Sequence, residues 1–232
     1  MRILKRSDNI GDEVEERGMA IIKGMDIAKP DEALLQLLSE FSIPTSYGKQ
    51  PMIMDIKPRD GAYPASSAGT GFFDLHTDMT FTPEPPTHLA MICLSVDDEG
   101  GDSLLADGQK AAERLSPKNR RLLLEERIAF PSPKHVSTPD IFAPVLHRIA
   151  EETAIRVRFH SGILESDQQR MHATLRRAVE QFYNNAKELL MTIRLEPGQA
   201  LVLDNQRFLH GRTEVKSGES RRHLKRAYGV RQ

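Results

Sequence analysis

A chain of 232 residues can bury one sizeable core, and its 32 Lys plus Arg against 33 Asp plus Glu leave a net charge of −1. No overall field attracts nucleic acid or an anionic membrane, so a small charged molecule suits the chain better than a polymer. The single cysteine, Cys93, excludes an internal disulfide framework and suits a reducing compartment.

The N-terminus turns acidic where a signal peptide would carry its apolar stretch, and no run approaches the ~18 apolar residues of a membrane span. One cytoplasmic domain over residues 1–232 is expected, with neither membrane nor nucleic acid among its partners. A homo-oligomer is compatible with this composition.

RGMAIIKGM (17–25) reads as a short buried strand between glycines. KPDEALLQLLSEFSIP follows as a helix, with Pro30 in its first turn, Leu34, Leu35, Leu37 and Leu38 on its apolar face, and Pro44 as its stop. A strand is expected at Met52–Ile56, and a long Gly/Ala/Ser/Pro segment then runs to residue 70. THLAMICLSV (87–96) has the continuous apolar character of a fully buried strand, and DDEGGDSLLADG turns into a short one.

QKAAERLSPKNRRLLLEER suggests helix with a break at Ser116-Pro117, and TAIRVRFHSG (153–162) alternates as a strand. A long helix is expected from Ser166, where Ser166 and Gln169 form a capping box and Met171, Leu175, Val179 and Phe182 recur at helical spacing. LLMTIRL, the turn Glu196-Pro197-Gly198 and QALVLDN read as a hairpin, and RRHLKRAYGV as a last strand. Many short strands with interposed helices predict a mainly β protein with flanking helices, built on a double-stranded β-helix (jelly-roll) core.

Within FFDLHTDMTF, His76 and Asp78 stand two positions apart in an apolar run. A polar strand face or a solubilising charge pair would explain them plainly. In an extended segment, however, residues i and i+2 project to one side, so the two can also share an ion.

Seven further histidines are candidates for a third ligand. His172 among helix charges, and His135 and His147 in irregular sequence, suit solvent; His88 before a buried strand suits packing; His160 stays open. His210 differs, because it follows the apolar strand LVLDN and precedes Gly211, where backbone can approach closely. His76, Asp78 and His210 would form the 2-His-1-carboxylate triad suited to Fe(II), and zinc could use the same donors.

In the last strand, Arg222, Leu224, Arg226 and Tyr228 share one side. Two guanidiniums on one face can grip a dicarboxylate, although a basic edge strand that resists aggregation has the same pattern.

HTDMTFTPEPPTHLAMICL, GGDSLLADG, LVLDNQRFLHGRT and RRHLKRAYG, in this order from about Gly48 to the C-terminus, resemble the taurine dioxygenase superfamily of Fe(II)/2-oxoglutarate oxygenases. The clavaminate synthase and γ-butyrobetaine hydroxylase branches are included in that likeness. The resemblance implies Fe(II) on His76, Asp78 and His210, and 2-oxoglutarate as cosubstrate. It puts the distal carboxylate on Arg226 with help from Ser103, and the metal-chelating end near Arg222. Asn205 and Arg207 match its DNxRxxH pattern and are expected to brace the His210 strand.

The implied reaction consumes O₂, releases succinate and CO₂, and hydroxylates, desaturates or cyclises an unactivated C–H position of a small carboxylate-like or amino-acid-like molecule. Asp78 speaks against halogenation, which needs a small residue there, and a carboxylate of this length departs from the glutamate of many amino-acid hydroxylases. The short chain implies a more open pocket or a lid from another subunit. Residues 60–73, Met79, Phe81 and Arg158 are expected to meet substrate. The competing expectation is a non-oxidising metal protein, a sensor or lyase, that keeps the triad but needs no arginine for a cosubstrate.

Overall fold

Alternating apolar residues build two facing sheets, and helices cover the outer side of each. The computed structural model describes residues 3–48, 50–59, 61–63, 66–132, 139–148, 154–165, 171–215 and 220–232. The chain opens with β1 (Ile3–Lys5), α1 (Ile10–Arg17) and β2 (Met19–Lys23). Helix α1 was not anticipated, yet its ends carry ordinary signals: Asn9 caps the first turn by accepting from the Asp12 amide, and Gly18 closes it at φ 75°.

Next come α2 (Pro30–Ser39), β3 (Ser42–Thr45), β4 (Ile53–Ile56), β5 (Phe73–His76), β6 (His88–Ser95) and β7 (Ser103–Asp107). Helix α2 ends before the expected stop at Pro44, which lies within β3 opposite Gly229. That placement is tolerable because β3 is an edge strand.

Helices α3 (Gly108–Glu113) and α4 (Pro117–Glu125) break where expected, with Ser116 capping the second by accepting from Asn119 N–H. The short strands β8 (Ile128–Phe130), β9 (Ile141–Ala143) and β10 (Leu146–Arg148) were not foreseen, and His147 sits in the last of them. β11 (Ile155–Val157) is shorter than its alternation suggested and precedes α5 (Gly162–Glu165).

Helix α6 (Ala173–Glu188) is capped by His172, whose Nδ1 accepts from Leu175 N–H; Ser166, Gln169 and His135 lie outside the described residues. The chain ends with β12 (Met191–Ile193), β13 (Gln199–Asp204), β14 (Phe208–Arg212) and β15 (His223–Arg231). The expected hairpin does not form, because β12 pairs with β7 in one sheet while β13 pairs with β2 and β6 in the other. The Glu196-Pro197-Gly198 turn crosses between the sheets.

Among the described residues the larger sheet runs β1-β2-β13-β6-β15-β3, with β4 also on β15, and the smaller runs β12-β7-β14-β5. Met19, Ile21, Leu89, Leu105, Leu201 and Leu224 pack between them. Ala20, Ile22, Ala90 and Val202, their strand neighbours, face α1 and α2 on the opposite side, as a period of two requires. The outer face of the small sheet packs on α6 through Leu175, Val179 and Phe182. No helix among the described residues is long and apolar enough to cross a membrane.

The pairing of β14 with β5 sets His210 directly opposite His76, and the register shifts just beyond. Gly211 allows this approach: a Cβ there would stand 2.5 Å from the Phe73 carbonyl oxygen. The Gly211→Ala variant is therefore expected to lose about 1–3 kcal/mol of stability, the usual cost of overpacking. Denaturant unfolding of the metal-free protein measures the loss.

Candidate metal centre

Strand β5 ends at His76, so Asp78 is not the next same-side residue of an extended run. It returns to the imidazole through a turn in which Met79 adopts φ 59°, a conformation that side chains rarely take. Asn205 holds that turn. The Asp78 amide donates to Asn205 Oδ1 at 2.7 Å, and Asn205 Nδ2 donates back to the Asp78 carbonyl at 3.2 Å and to the Pro86 carbonyl at 2.9 Å. Asn205 is fully buried, so these bonds face no competition from water.

One donor atom from each of His76, Asp78 and His210 lies within 4.8 Å of the others, and all three residues are buried. Asp78 Oδ1 is 3.6 Å from His76 Nε2, and Oδ2 is 3.5 Å from His210 Nε2. The Asp74 carbonyl can only accept, so its 2.8 Å bond with His76 Nδ1 fixes the proton there. Nε2 is thereby left with a free lone pair, buried and without a hydrogen-bond partner. An unpartnered imidazole nitrogen converging with a carboxylate and a second imidazole fits a metal of the Fe(II) or Zn(II) type.

Asp74 is itself held by the Tyr183 hydroxyl of α6, which ties the small sheet's outer helix to the His76 backbone. His160 forms a β-bridge with His76, and its ring lies 5.7 Å from that imidazole. Its Nδ1 accepts from Gly162 N–H, and burial pushes its pKa down to about 4.

Arg226 Nη1 donates to Asp78 Oδ2 at 2.9 Å. Burial alone would push the Asp78 carboxyl up, but Arg226 and the two imidazoles outweigh it and hold the group well below the usual carboxylate range. Arg226 therefore stands beside an expected metal ligand. Arg222 lies away from it, donating through Nε to the Gly101 carbonyl at 3.0 Å, with Ser103 on the same cavity wall.

That cavity is a slot of about 40 Å³, lined by Phe73, His76, Ser103, Arg212, Arg222 and Arg226 among others. Arg212 closes one side, because it donates to the carbonyls of Gly71 (2.6 Å), Ser66 (3.4 Å) and Ser67 (3.5 Å). Arg212 follows His210 by two positions on β14 and so shares its side, a period-two signal already present in the sequence. A wider groove of about 940 Å³ beside α4 and β10 contains none of these residues.

Of the residues expected to meet substrate, Ser67 and Phe73 from the 60–73 segment line the slot, and residues 60, 64 and 65 lie outside the described residues. Met79 and Phe81 pack in the core between the sheets. Arg158 Nη1 donates to the Thr80 and Thr82 carbonyls and Nη2 to that of Pro83, so its guanidinium braces the segment after Asp78 instead of facing the slot. Arg207 likewise serves Asp107, at 2.9 Å, and the Glu16 carbonyl, so of the DNxRxxH pair only Asn205 reaches the triad, through Asp78 and not through the His210 strand. The Asn205→Ala variant should bind a divalent metal about 10–100-fold more weakly, as loss of a ligand's support typically does. Arg207→Ala should lower stability and leave metal affinity unchanged; titration calorimetry with Co(II) or Zn(II) measures both.

Comparison with known proteins gives the same neighbourhood. The model of the taurine catabolism dioxygenase TauD, TfdA family matches residues 4–228. γ-Butyrobetaine dioxygenase of Pseudomonas sp. (strain AK-1) is 31% identical over 187 residues, covering 76% of this chain and 48% of that protein. The Homo sapiens γ-butyrobetaine dioxygenase is 28% identical over 173 residues, 68% of this chain and 44% of its own length. The mitochondrial trimethyllysine dioxygenase of Gallus gallus is 27% identical over 214 residues, covering 84% of this chain and 49% of that protein.

The chain thus spans about half the length of the curated relatives it matches. Among solved structures, asparagine oxygenase (AsnO) superposes with a TM-score of 0.80 at 18% identity, covering 96% of this chain and 76% of that one. The non-heme iron oxygenase OrfP, in complex with Fe and α-ketoglutaric acid, gives 0.77 at 19% identity over 94% and 77%. These likenesses show a shared fold. On the strength of the family match along nearly its whole length, the chain belongs to the taurine catabolism dioxygenase TauD, TfdA family.

Proposed function

We propose that this chain is an Fe(II)- and 2-oxoglutarate-dependent oxygenase acting on a small acid, as a single domain in a reducing cytoplasm. One observation carries the reading. Three buried polar atoms without partners, His76 Nε2, Arg222 Nη1 and Arg226 Nε, belong to residues lining one slot. Leaving such atoms unpaired costs about 1–3 kcal/mol each, so the slot is organised for a metal and an anion together.

His76, Asp78 and His210 would hold the ion. When bound, Fe(II) would activate O₂ as the oxidant, with 2-oxoglutarate giving up two electrons on decarboxylation to succinate and CO₂ and an unactivated C–H bond of the substrate giving up the other two. Arg222 and Ser103 receive the far carboxylate of the cosubstrate, reversing the assignment suggested by the motif alone. Arg222 suits that task because its Nη1 is free to donate and Ser103 adds a hydroxyl. Arg226 keeps Asp78 ionised and oriented, so the ligand needs no proton removed before it can coordinate.

The slot is narrow, about 40 Å³, and the bonds from Arg212 to the carbonyls of Ser66, Ser67 and Gly71 form one of its walls. With the slot filled, buried side chains exclude bulk water from the reacting carbon.

Anaerobic addition of Fe(II) and 2-oxoglutarate should produce the weak visible charge-transfer band of the chelate, and admission of air should release succinate. Absence of both would favour the non-oxidising metal protein that shares the same triad. The Arg222→Met variant is expected to raise the Kd for 2-oxoglutarate about a hundredfold, since removing one partner of a buried charge pair costs ~2–5 kcal/mol. Arg226→Met should raise it less, and a larger loss at Arg226 would restore the opposite order.

A further inference from the structure

A cavity of about 400 Å³ lies beside residues 83–85, a short way along the chain from Asp78, and shares no lining residue with the slot. Its size is within the range of small-molecule sites. Among the described residues that line it, Arg148, Arg156, Arg158 and Arg231 stand against one acid, Glu84.

Two of these arginines are already engaged. Arg156 Nη1 donates to Gln206 Oε1 at 2.7 Å, and Arg231 Nη2 lies 3.5 Å from Asp204 Oδ2. Arg158 differs, because it is 6% exposed and burial pushes its pKa down to about 10 with no acid pulling it back up. A buried cation without a carboxylate is costly.

The donors of Arg158 are only partly spent. Nη1 gives both of its N–H groups to the Thr80 and Thr82 carbonyls and Nη2 gives one to Pro83, so one Nη2 proton remains and Nε has no partner. Protons on neighbouring nitrogens of a guanidinium match two oxygens of one oxyanion. His147 Nδ1 is a second buried, unpartnered atom among the lining residues. Burial, with Arg158 and Arg156 nearby, pushes that imidazole down to about 4, so at neutral pH it adds a polar group and no charge.

The rest of the lining includes Pro83, Pro85, Val157 and Val230. A bare ion would leave this apolar surface uncovered. A molecule with an apolar body and a multiply charged head suits both parts, and a phosphate monoester carries about 1.5 to 2 negative charges at pH 7.

We propose that this cavity is a binding site for a phosphate-bearing small molecule, separate from the metal slot, with Arg158 as its buried anchor. The site does not depend on what the slot catalyses. Its anchor also holds the carbonyls just after Asp78, so a ligand here rests against the support of an expected metal ligand.

Titration calorimetry of the metal-free protein with phenyl phosphate, at fixed ionic strength, should show one saturable site. Benzoate should bind about tenfold more weakly or worse. Equal binding of benzoate overturns the phosphate assignment, and no saturable binding of phenyl phosphate overturns the site. Arg158→Lys keeps the charge but loses the planar fork, and should weaken phenyl phosphate about tenfold or more.

Because Arg158 also braces backbone, Arg148→Ala, at an exposed lining residue, provides a second variant with a several-fold loss expected. Arg222→Met should leave the affinity for phenyl phosphate unchanged. Unchanged affinity in the folded Arg158 and Arg148 variants, or a loss confined to Arg222→Met, overturns the proposal.

Discussion

The site depends on two strands of the small sheet running antiparallel in a register that sets His210 across from His76. Directly opposed residues in a sheet have their Cβ atoms only about 5 Å apart, so the pairing itself delivers two imidazoles to one point. Everything that keeps β5 and β14 in that register therefore acts on the metal centre. Gly211 permits the close approach, and the Asp74 link to Tyr183 anchors β5 to α6. The inter-sheet apolar layer holds the smaller sheet against the larger one, which contributes both Asn205, just after β13, and the arginines at β15.

The third donor obeys a different constraint. Asp78 is outside any strand, in a turn strained at Met79, and would wander without support. Asn205 holds its backbone on both sides, and Arg226 holds its carboxylate. These supports come from opposite ends of the β13-to-β15 stretch, so both sheets and the connections between them must form before the triad exists. Arg158 adds a further tie by gathering the three carbonyls at Thr80, Thr82 and Pro83.

A concentration of guanidiniums gives the slot its character. Arg226 is mostly buried and paired with Asp78, whereas burial pushes Arg222 down to about 10, with Arg212 beside it adding to that push. Such an arrangement is costly unless anions complete it. The proposed cosubstrate would supply two negative charges.

Local chemistry was legible from the residues: the continuous apolar run of β6, the two-residue period of β15, the Ser116-Pro117 break, the apolar stripe of α6, and the candidate donors His76, Asp78 and His210 with their two arginines. Such features follow from side-chain type and period alone, which short windows contain. The sequence by itself could not determine which sheet each strand would join. β12 and β13 read as a hairpin but part company, and β8 to β10 are strands of three residues each, too short for a period to announce them.

It also could not order Arg222 and Arg226 along the slot, nor direct Asn205 to Asp78 and Arg158 to carbonyls. Those outcomes depend on distances between segments about 75 to 150 residues apart. Periodicity assigns a side chain to a face, but only the packed sheets determine what that face meets.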